Sequence, residues 1–327
     1  MSFVEFLNNA NPDPKLLGGK GSNLTQLIKI GIKTPPGFII NTKSYEKFLE
    51  ESHLREEIYH ILTKKYTPNQ IVPLSIKLRD LFLKSDIPKI LDKEIVSAFN
   101  KIKHILGPNS NFSVRSSATI EDDIKFSFAG QAESYLYNKN LKDILHSLKK
   151  CWASLFTPQA LLYFLQMKKK GYDVALDKLK MAVIVQKMIN SEISGVLFTI
   201  NVLNDRKNEM MINSTWGLGE TITTGSIIPD LIIIKKNQFE ILKKVIGEKK
   251  KKSIANPNGS YTILVNTESN LRAICSLNEK QIYDLYKLGL KLEKEFNQPQ
   301  DIEWAIEKNL IYILQSRPIT TLKSSNN

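Results

Sequence analysis

DIEWAIEKNLIYILQSRPIT, Asp301 to Thr320, alternates polar and apolar residues on both sides of a short turn. Asp301, Glu303 and Ala305 interleave with Ile302, Trp304 and Ile306, the period of two that a half-buried strand requires. After a turn at Glu307-Lys308-Asn309, the return strand carries Ile311, Ile313, Gln315 and Arg317 at the same period. If Ile306 pairs with Leu310, Glu303 lies opposite Ile313 and Asp301 opposite Gln315. Acid, amide and guanidinium then share one face of a two-stranded ribbon. A carboxylate beside a neutral oxygen donor suits Mg²⁺, which takes one or two carboxylates together with substrate phosphates. An arginine next to them can clamp a transferring phosphoryl group. The competing reading is an edge hairpin with a polar outer face and an ordinary ion pair, and the hairpin alone does not choose between the two.

The rest of the chain narrows the class of protein around this ribbon. At 327 residues, with 42 % apolar and 24 % charged residues, it has the composition of a globular protein with one large domain or two lobes. No window reaches the roughly 18 uninterrupted apolar residues of a membrane span, and MSFVEFLNNANPDPK lacks the basic start and apolar core of a signal peptide. Cys151 and Cys275 form no CxxC and no Cys/His cluster, so a disulfide framework or structural zinc is not expected and a reducing cytoplasm is. The net charge of +13 comes mostly from lysines spread along the chain. That dispersion favours a solvated surface over a nucleic-acid patch, while still favouring polyphosphate ligands and acidic partners. The densest run, Glu248-Lys249-Lys250-Lys251-Lys252, lies between two strand-like segments and reads as an exposed loop.

GGKGSNLTQLIKIG, Gly18 to Gly31, reads as a glycine loop entering a helix capped by Ser22 and stopped at Gly31. Residues 41–62 and 73–106 have helical spacing, as do 141–170, with a break at Thr157-Pro158, and 278–296. From Met181 the texture turns to strands: MAVIVQKMI, GVLFTI, EMMINS, DLIIIKK, FEILKKVIG and YTILVN. A helical first half and a sheet-rich second half predict two lobes, residues 1–180 and 181–322, with a tail at 323–327. A seam of this kind is a common place for a ligand cleft.

Four further stretches carry candidate chemistry. GGKG offers backbone N–H groups and the Lys20 ammonium to phosphates, or is a plain turn before a helix. NFSVRSSATIEDD ends a strand on Arg115 before hydroxyls and carboxylates, which suggests an anion site. WGLGE, with Glu220, joins two strand segments through small residues that permit close ligand approach, or simply a tight bend. Gln186 in MAVIVQKMI can hydrogen-bond a base with Met188 packed on it, or can face solvent at a strand end. His53, His60, His104 and His146 lie in lysine-rich helical segments, none in a small-residue loop that would suit a phosphoryl carrier, and no GxSxG or HExxH is present.

Taken in order, GGKGSNLTQL, TPPGFII, FSVRSSATIEDD, FAGQAES, CWASLF, VQKMI, SGVLFT, WGLGE, GSIIPD and DIEW…ILQSRP resemble one family. It is the nucleotide-binding domain of pyruvate phosphate dikinase, phosphoenolpyruvate synthase and rifampicin phosphotransferase. The resemblance runs from about Leu17 to Ile319 and implies an α+β, ATP-grasp fold with ATP between two lobes. It implies that Lys20 and Arg115 hold the ATP phosphates and that the backbone of Gln186 to Met188 takes the adenine edge. Glu220 would sit at the ribose side, Glu303 and Gln315 would coordinate Mg²⁺ with Asp301 nearby, and Arg317 would stabilise the phosphoryl group in flight. The hydroxyls and carboxylates after Arg115 would belong to a loop that folds over the triphosphate, with Phe128-Ala129-Gly130-Gln131 leading back into the lobe. Full-length members also carry a catalytic histidine on a swivelling domain and an acceptor-binding domain. No such histidine motif stands in this sequence, so the expectation is an ATP-binding subunit that phosphorylates a histidine on a separate partner protein. A rifampicin-phosphotransferase-like resistance component and a non-catalytic regulatory or nucleic-acid-binding module are the alternatives.

Overall fold

A computed structural model of the chain describes residues 2–64, 66–119, 133–169, 179–257, 259 and 261–320. Two compact units emerge, Met1–Ile30 with Pro36–Met188, and Gly31–Pro35 with Ile189–Asn327. Residues 120–132, which hold the carboxylates of the loop expected over a triphosphate and the Phe128–Gln131 return, and the expected tail at 323–327 lie outside the described residues.

The first unit runs β1 (Val4–Phe6), α1 (Pro14–Lys29), β2 (Gly37–Ile40), α2 (Thr42–Glu51), α3 (Leu54–Thr63), α4 (Ile71–Lys84) and α5 (Lys89–Leu106). It continues through β3 (Phe112–Ala118), β4 (Ser134–Asn138), α6 (Leu141–Ala153), α7 (Pro158–Lys169) and β5 (Met181–Lys187). Helix α1 starts about two turns before the expected Ser22 cap. Asp13 accepts from the Lys15 N–H at 2.9 Å and Pro14 takes the first helical position, so the chain has its start signal there, and Ser22 is a buried interior residue. Gly18, at φ 69° and ψ 173°, breaks the helical path, which is why the glycine run reads as a loop in the sequence. The stretch expected to be helical over 41–62 splits at His53, which is left-handed at φ 55°. The one over 73–106 splits at Ser85–Pro88, where proline disfavours helical geometry in the residue before it.

The five strands order β1-β2-β5-β3-β4, each neighbour antiparallel. Phe38, Ile40, Phe112, Val114, Val183 and Val185 turn one face of this sheet into a hydrophobic core, which the helices complete with Phe48, Phe82, Trp152 and Phe156. Phe48 and Trp152 pack with ring centroids 4.7 Å apart, and the Trp152 indole N–H donates to the Met181 carbonyl at 3.2 Å. CWASLF is therefore core, not site.

The second unit runs β6 (Ile193–Phe198), β7 (Glu209–Trp216), α8 (Glu220–Thr223), β8 (Asp230–Lys235), β9 (Glu240–Val245), β10 (Lys251–Ala255) and β11 (Thr262–Asn266). Then follow α9 (Ser269–Arg272), α10 (Glu279–Phe296), β12 (Gln300–Glu307) and β13 (Leu310–Pro318). Six strands form a sheet in the order β13-β12-β6-β7-β8-β9, and β10 with β11 forms a separate ribbon. Asn278 caps α10 in a reciprocal capping box with Gln281. That helix lies so close to the sheet that a Cβ on Gly289 would come within 2.9 Å of Leu197. The run Glu248–Lys252 is an exposed loop only in part: Glu248 and Lys250 are exposed outside any strand, but Lys249 is wholly buried and Lys251 begins β10. Helices beside separate antiparallel sheets agree with the expected α+β class. Among the described residues no helix is long and apolar enough to cross a membrane.

Candidate functional site

In the first unit the glycines of GGKG serve packing. A Cβ on Gly18 would come within 2.1 Å of the Ser117 carbonyl, and one on Gly21 within 2.4 Å of Ile39. The Gly21 N–H donates to the Ser117 hydroxyl at 2.9 Å, and that hydroxyl donates to the Leu17 carbonyl at 2.7 Å. This N–H is thus engaged inside the protein, and Lys20 is carried on a helix laid tightly against β3. Arg115 lies two residues before Ser117 on the same strand, so both point to one face of the sheet. Gln186 on β5 pairs with Ser113 of β3 and Gly37 of β2, which puts it on that face too. Lys20, Arg115 and Gln186 therefore belong to one side of the first unit, opposite its core. Met188, just beyond β5, is buried. The N–H groups of Lys187 and Met188 donate to Pro36 and Asn111 carbonyls, both at 2.8 Å.

In the second unit the ribbon has a different register from the one expected. Glu307 pairs with Leu310 around a two-residue turn at Lys308 (φ 52°) and Asn309 (φ 62°), the left-handed pair that tight hairpins favour. Ile306 consequently faces Ile311, not Leu310, and Trp304 faces Ile313. A β-bulge then inserts Leu314, so that Glu303 faces Gln315 and Asp301 faces Arg317. Ile311 and Ile313 go with Ile306 and Trp304 to the core face, while Gln315 and Arg317 join Glu303 and Asp301 on the other. The Arg317 guanidinium donates to Asp301 Oδ2 through Nε at 2.8 Å, with a second nitrogen also at 2.8 Å. Burial pushes the Asp301 carboxyl above its ordinary range, Glu303 adds to this, and Arg317 opposes it. Strand β12 is interior, paired on its other side with β6, so the ribbon is fixed to the sheet along its length. Among the described residues no group of three or more His, Cys, Asp or Glu side chains is placed to hold a metal ion. Two facing protein oxygen donors, Glu303 and Gln315, completed by phosphate oxygens, are nevertheless a set that Mg²⁺ accepts.

Glu220 opens the short helix α8, and its carboxylate accepts from the Ser253 hydroxyl of β10. Ser253 is absent from the sequence reading, and Glu133 stands in it only inside FAGQAES, with no role of its own. The Glu133 carbonyl accepts from Ser116 next to Arg115, and burial raises the pKa of its carboxyl. Ser253 stands in no pattern that marks it; only pairing across distant strands reveals it.

The family described as pyruvate phosphate dikinase, AMP/ATP-binding domain, matches residues 14–327. The chain is 36 % identical over 327 residues to a probable phosphoenolpyruvate synthase of Methanocaldococcus jannaschii, covering 99 % of this chain and 27 % of that protein. It is 36 % identical to the phosphoenolpyruvate synthase of Pyrococcus furiosus, covering 98 % and 44 %. Against the rifampicin phosphotransferase of Bacillus subtilis the identity is also 36 %, covering 94 % and 34 %. The chain thus spans less than half the length of each of these relatives.

Proposed function

The chain belongs to the pyruvate phosphate dikinase AMP/ATP-binding domain family, and from that premise we propose that it binds Mg-ATP as an ATP-grasp domain. In this reading it is the nucleotide-binding subunit of a dikinase-type phosphotransferase. It passes a β-phosphoryl or pyrophosphoryl group to a histidine on a separate partner protein, with AMP as the eventual nucleotide product. The observation that carries the reading is the bulged ribbon, which gathers Asp301, Glu303, Gln315 and Arg317 on one face with Arg317 oriented by Asp301. Phosphoryl transfer needs alignment and charge neutralisation more than covalent help from protein, and these side chains supply both.

Glu303 and Gln315 would hold Mg²⁺, which when bound neutralises phosphate charge. Arg317 stabilises negative charge on the group being moved, and Asp301 orients its guanidinium through the Nε hydrogen bond. Lys20 and Arg115 hold phosphate oxygens. Because the Lys187 and Met188 N–H groups are engaged internally, the adenine amino group is met by carbonyl oxygens of the stretch from Gln186 to Met188. His60, His104 and His146 stand within helices and His53 at a helix start, which supports an acceptor histidine from elsewhere. The identity to a rifampicin phosphotransferase supports a second reading, in which the same ATP chemistry ends on a drug.

Calorimetry tests the site: Mg-ATP binds the wild-type chain, and Glu303→Ala loses most of the metal-dependent affinity. Equal affinity and equal metal dependence in both would remove the metal-ligand assignment. Incubation with ATP and a neighbouring-gene product bearing a phosphorylatable histidine yields AMP; ADP alone, or no turnover with any such partner, contradicts the dikinase reading. Drug modification in the same mixture would select the second reading.

A further inference from the structure

We propose that Gly31–Pro35 is a strap that holds the bulge of β13 in place, and that Lys33 within it is a positioning residue for Gln315 and Arg317. The inference rests on the reading of the ribbon as the metal and phosphate face given above.

Strand β13 ends the six-stranded sheet, with β12 on its inner side. A slip of one residue along such a pair sends every side chain to the opposite face. For β13 the register is the site, because the bulge at Leu314 keeps Gln315 opposite Glu303 and Arg317 opposite Asp301. An end strand lacks a second neighbouring strand to hold that register from outside.

The strap supplies the missing support. Gly31–Pro35 stands between α1 and β2 in the chain, yet it belongs with the second unit. The Lys33 carbonyl accepts from the Ile313 N–H at 2.9 Å. Ile313 immediately precedes Leu314, so the outer edge of β13 is tied where the bulge begins. The Lys33 ammonium lies over the Tyr312 ring, 5.3 Å from its centroid. Tyr312 pairs with Ala305, two residues from Glu303 on β12, so this second tie is made on the face of the carboxylates.

The strap is shaped by its own sequence. Gly31 takes φ 74°, and a Cβ there would meet nothing within 4 Å, so glycine serves the turn out of α1 and not a tight fit. Ile32 is buried, which anchors the strap one residue ahead of Lys33. Thr34 precedes Pro35-Pro36, whose rings stiffen the exit and keep it from continuing as helix. Lys33 thus presents its carbonyl to Ile313 and its ammonium to Tyr312 together.

The test measures ATP affinity by calorimetry, with Mg²⁺ and with EDTA, on wild type, Lys33→Met, Lys33→Arg, Tyr312→Leu and the double variant Lys33→Met/Tyr312→Leu. A cation over an aromatic ring is worth enough for Lys33→Met to lower the Mg²⁺-dependent gain in affinity about threefold. Tyr312→Leu should do the same, the double variant should lose no more than either, and Lys33→Arg, which keeps a cation over the ring, should restore the gain. Affinity in EDTA should be unaltered throughout. Hydrogen exchange at the Ile313 amide, slow in wild type, should quicken in Lys33→Met as the strap loosens. An equal loss with and without metal would make Lys33 a direct phosphate contact or a packing residue and overturn the proposal. So would an undiminished Mg²⁺ gain in Lys33→Met, or Ile313 exchange as slow there as in wild type. A wild-type chain that binds no ATP, or binds it without metal dependence, overturns the Mg-ATP reading and this proposal with it.

Discussion

Removing either partner of the Lys249–Asp230 pair should destabilise the second unit, and by unequal amounts. Both side chains are wholly buried. Breaking such a pair leaves an uncompensated charge, which costs about 3–5 kcal/mol. The two ends are not supported equally. Asp230 accepts from the Lys249 ammonium at 2.5 Å, the Gly247 N–H at 2.9 Å, and both the N–H and the hydroxyl of Ser276 at 2.7 Å. The Lys249 ammonium has, besides Asp230, the Gly247 carbonyl at 2.9 Å. Lys249→Met therefore leaves a carboxylate with three donors still facing it, and the loss should sit near the lower bound, about 3 kcal/mol. Asp230→Ala leaves a buried ammonium with one carbonyl and strips two backbone N–H groups of their acceptor, each worth about 1–3 kcal/mol. Its loss should be about 5 kcal/mol or more. For a unit of this size each kcal/mol moves the melting temperature by about 2–4 °C, so calorimetry separates the two variants readily. Equal losses, a reversed order, or a loss below about 1 kcal/mol in either variant would refute the reasoning.

Two other outcomes follow from the ribbon and its bed. Because the folded state raises the Asp301 pKa above its ordinary 3.8, it holds that proton more tightly than the unfolded chain does. Ionised Asp301 thus lowers stability at neutral pH, and the penalty fades as pH falls toward 3.8. Asp301→Asn should melt higher than wild type at pH 7, with the gap closing on acidification, and should bind Mg-ATP more weakly; a gap independent of pH would contradict the sign. Gly195→Ala would put a Cβ 2.1 Å from the Asn213 carbonyl and 2.4 Å from the Trp304 ring. About 1–3 kcal/mol of stability should be lost, visible as a lower urea midpoint, and an unchanged midpoint would show that the sheet yields there freely.

Much of the architecture was readable without coordinates because it rests on local periodicity. The strands from Met181 onward, the helix after Asn278 and the break at Thr157-Pro158 all appear where their spacing and caps put them. What misled was charge and glycine. The lysine run reads as solvent-exposed, since only an ion pair with Asp230, 19 residues upstream, makes burial of Lys249 tolerable. GGKG reads as a loop, since only the approach of β3 explains a helix with glycines at that density.

The ribbon separates the two kinds of information most clearly. Alternation alone named Asp301, Glu303, Gln315 and Arg317 as the residues of interest and made them neighbours on a hairpin. It could not set their register, because register depends on turn geometry and on bulges that no period of two records. With strict alternation, Gln315 and Arg317 would follow Ile311 and Ile313 to the core face. The left-handed turn at Lys308-Asn309 and the extra residue Leu314 turn them to the face of the carboxylates instead. Which residues are candidates for the chemistry was thus written in the sequence, whereas which of them face each other was decided by the pairing of β12 with β6 on one side and a bulged β13 on the other.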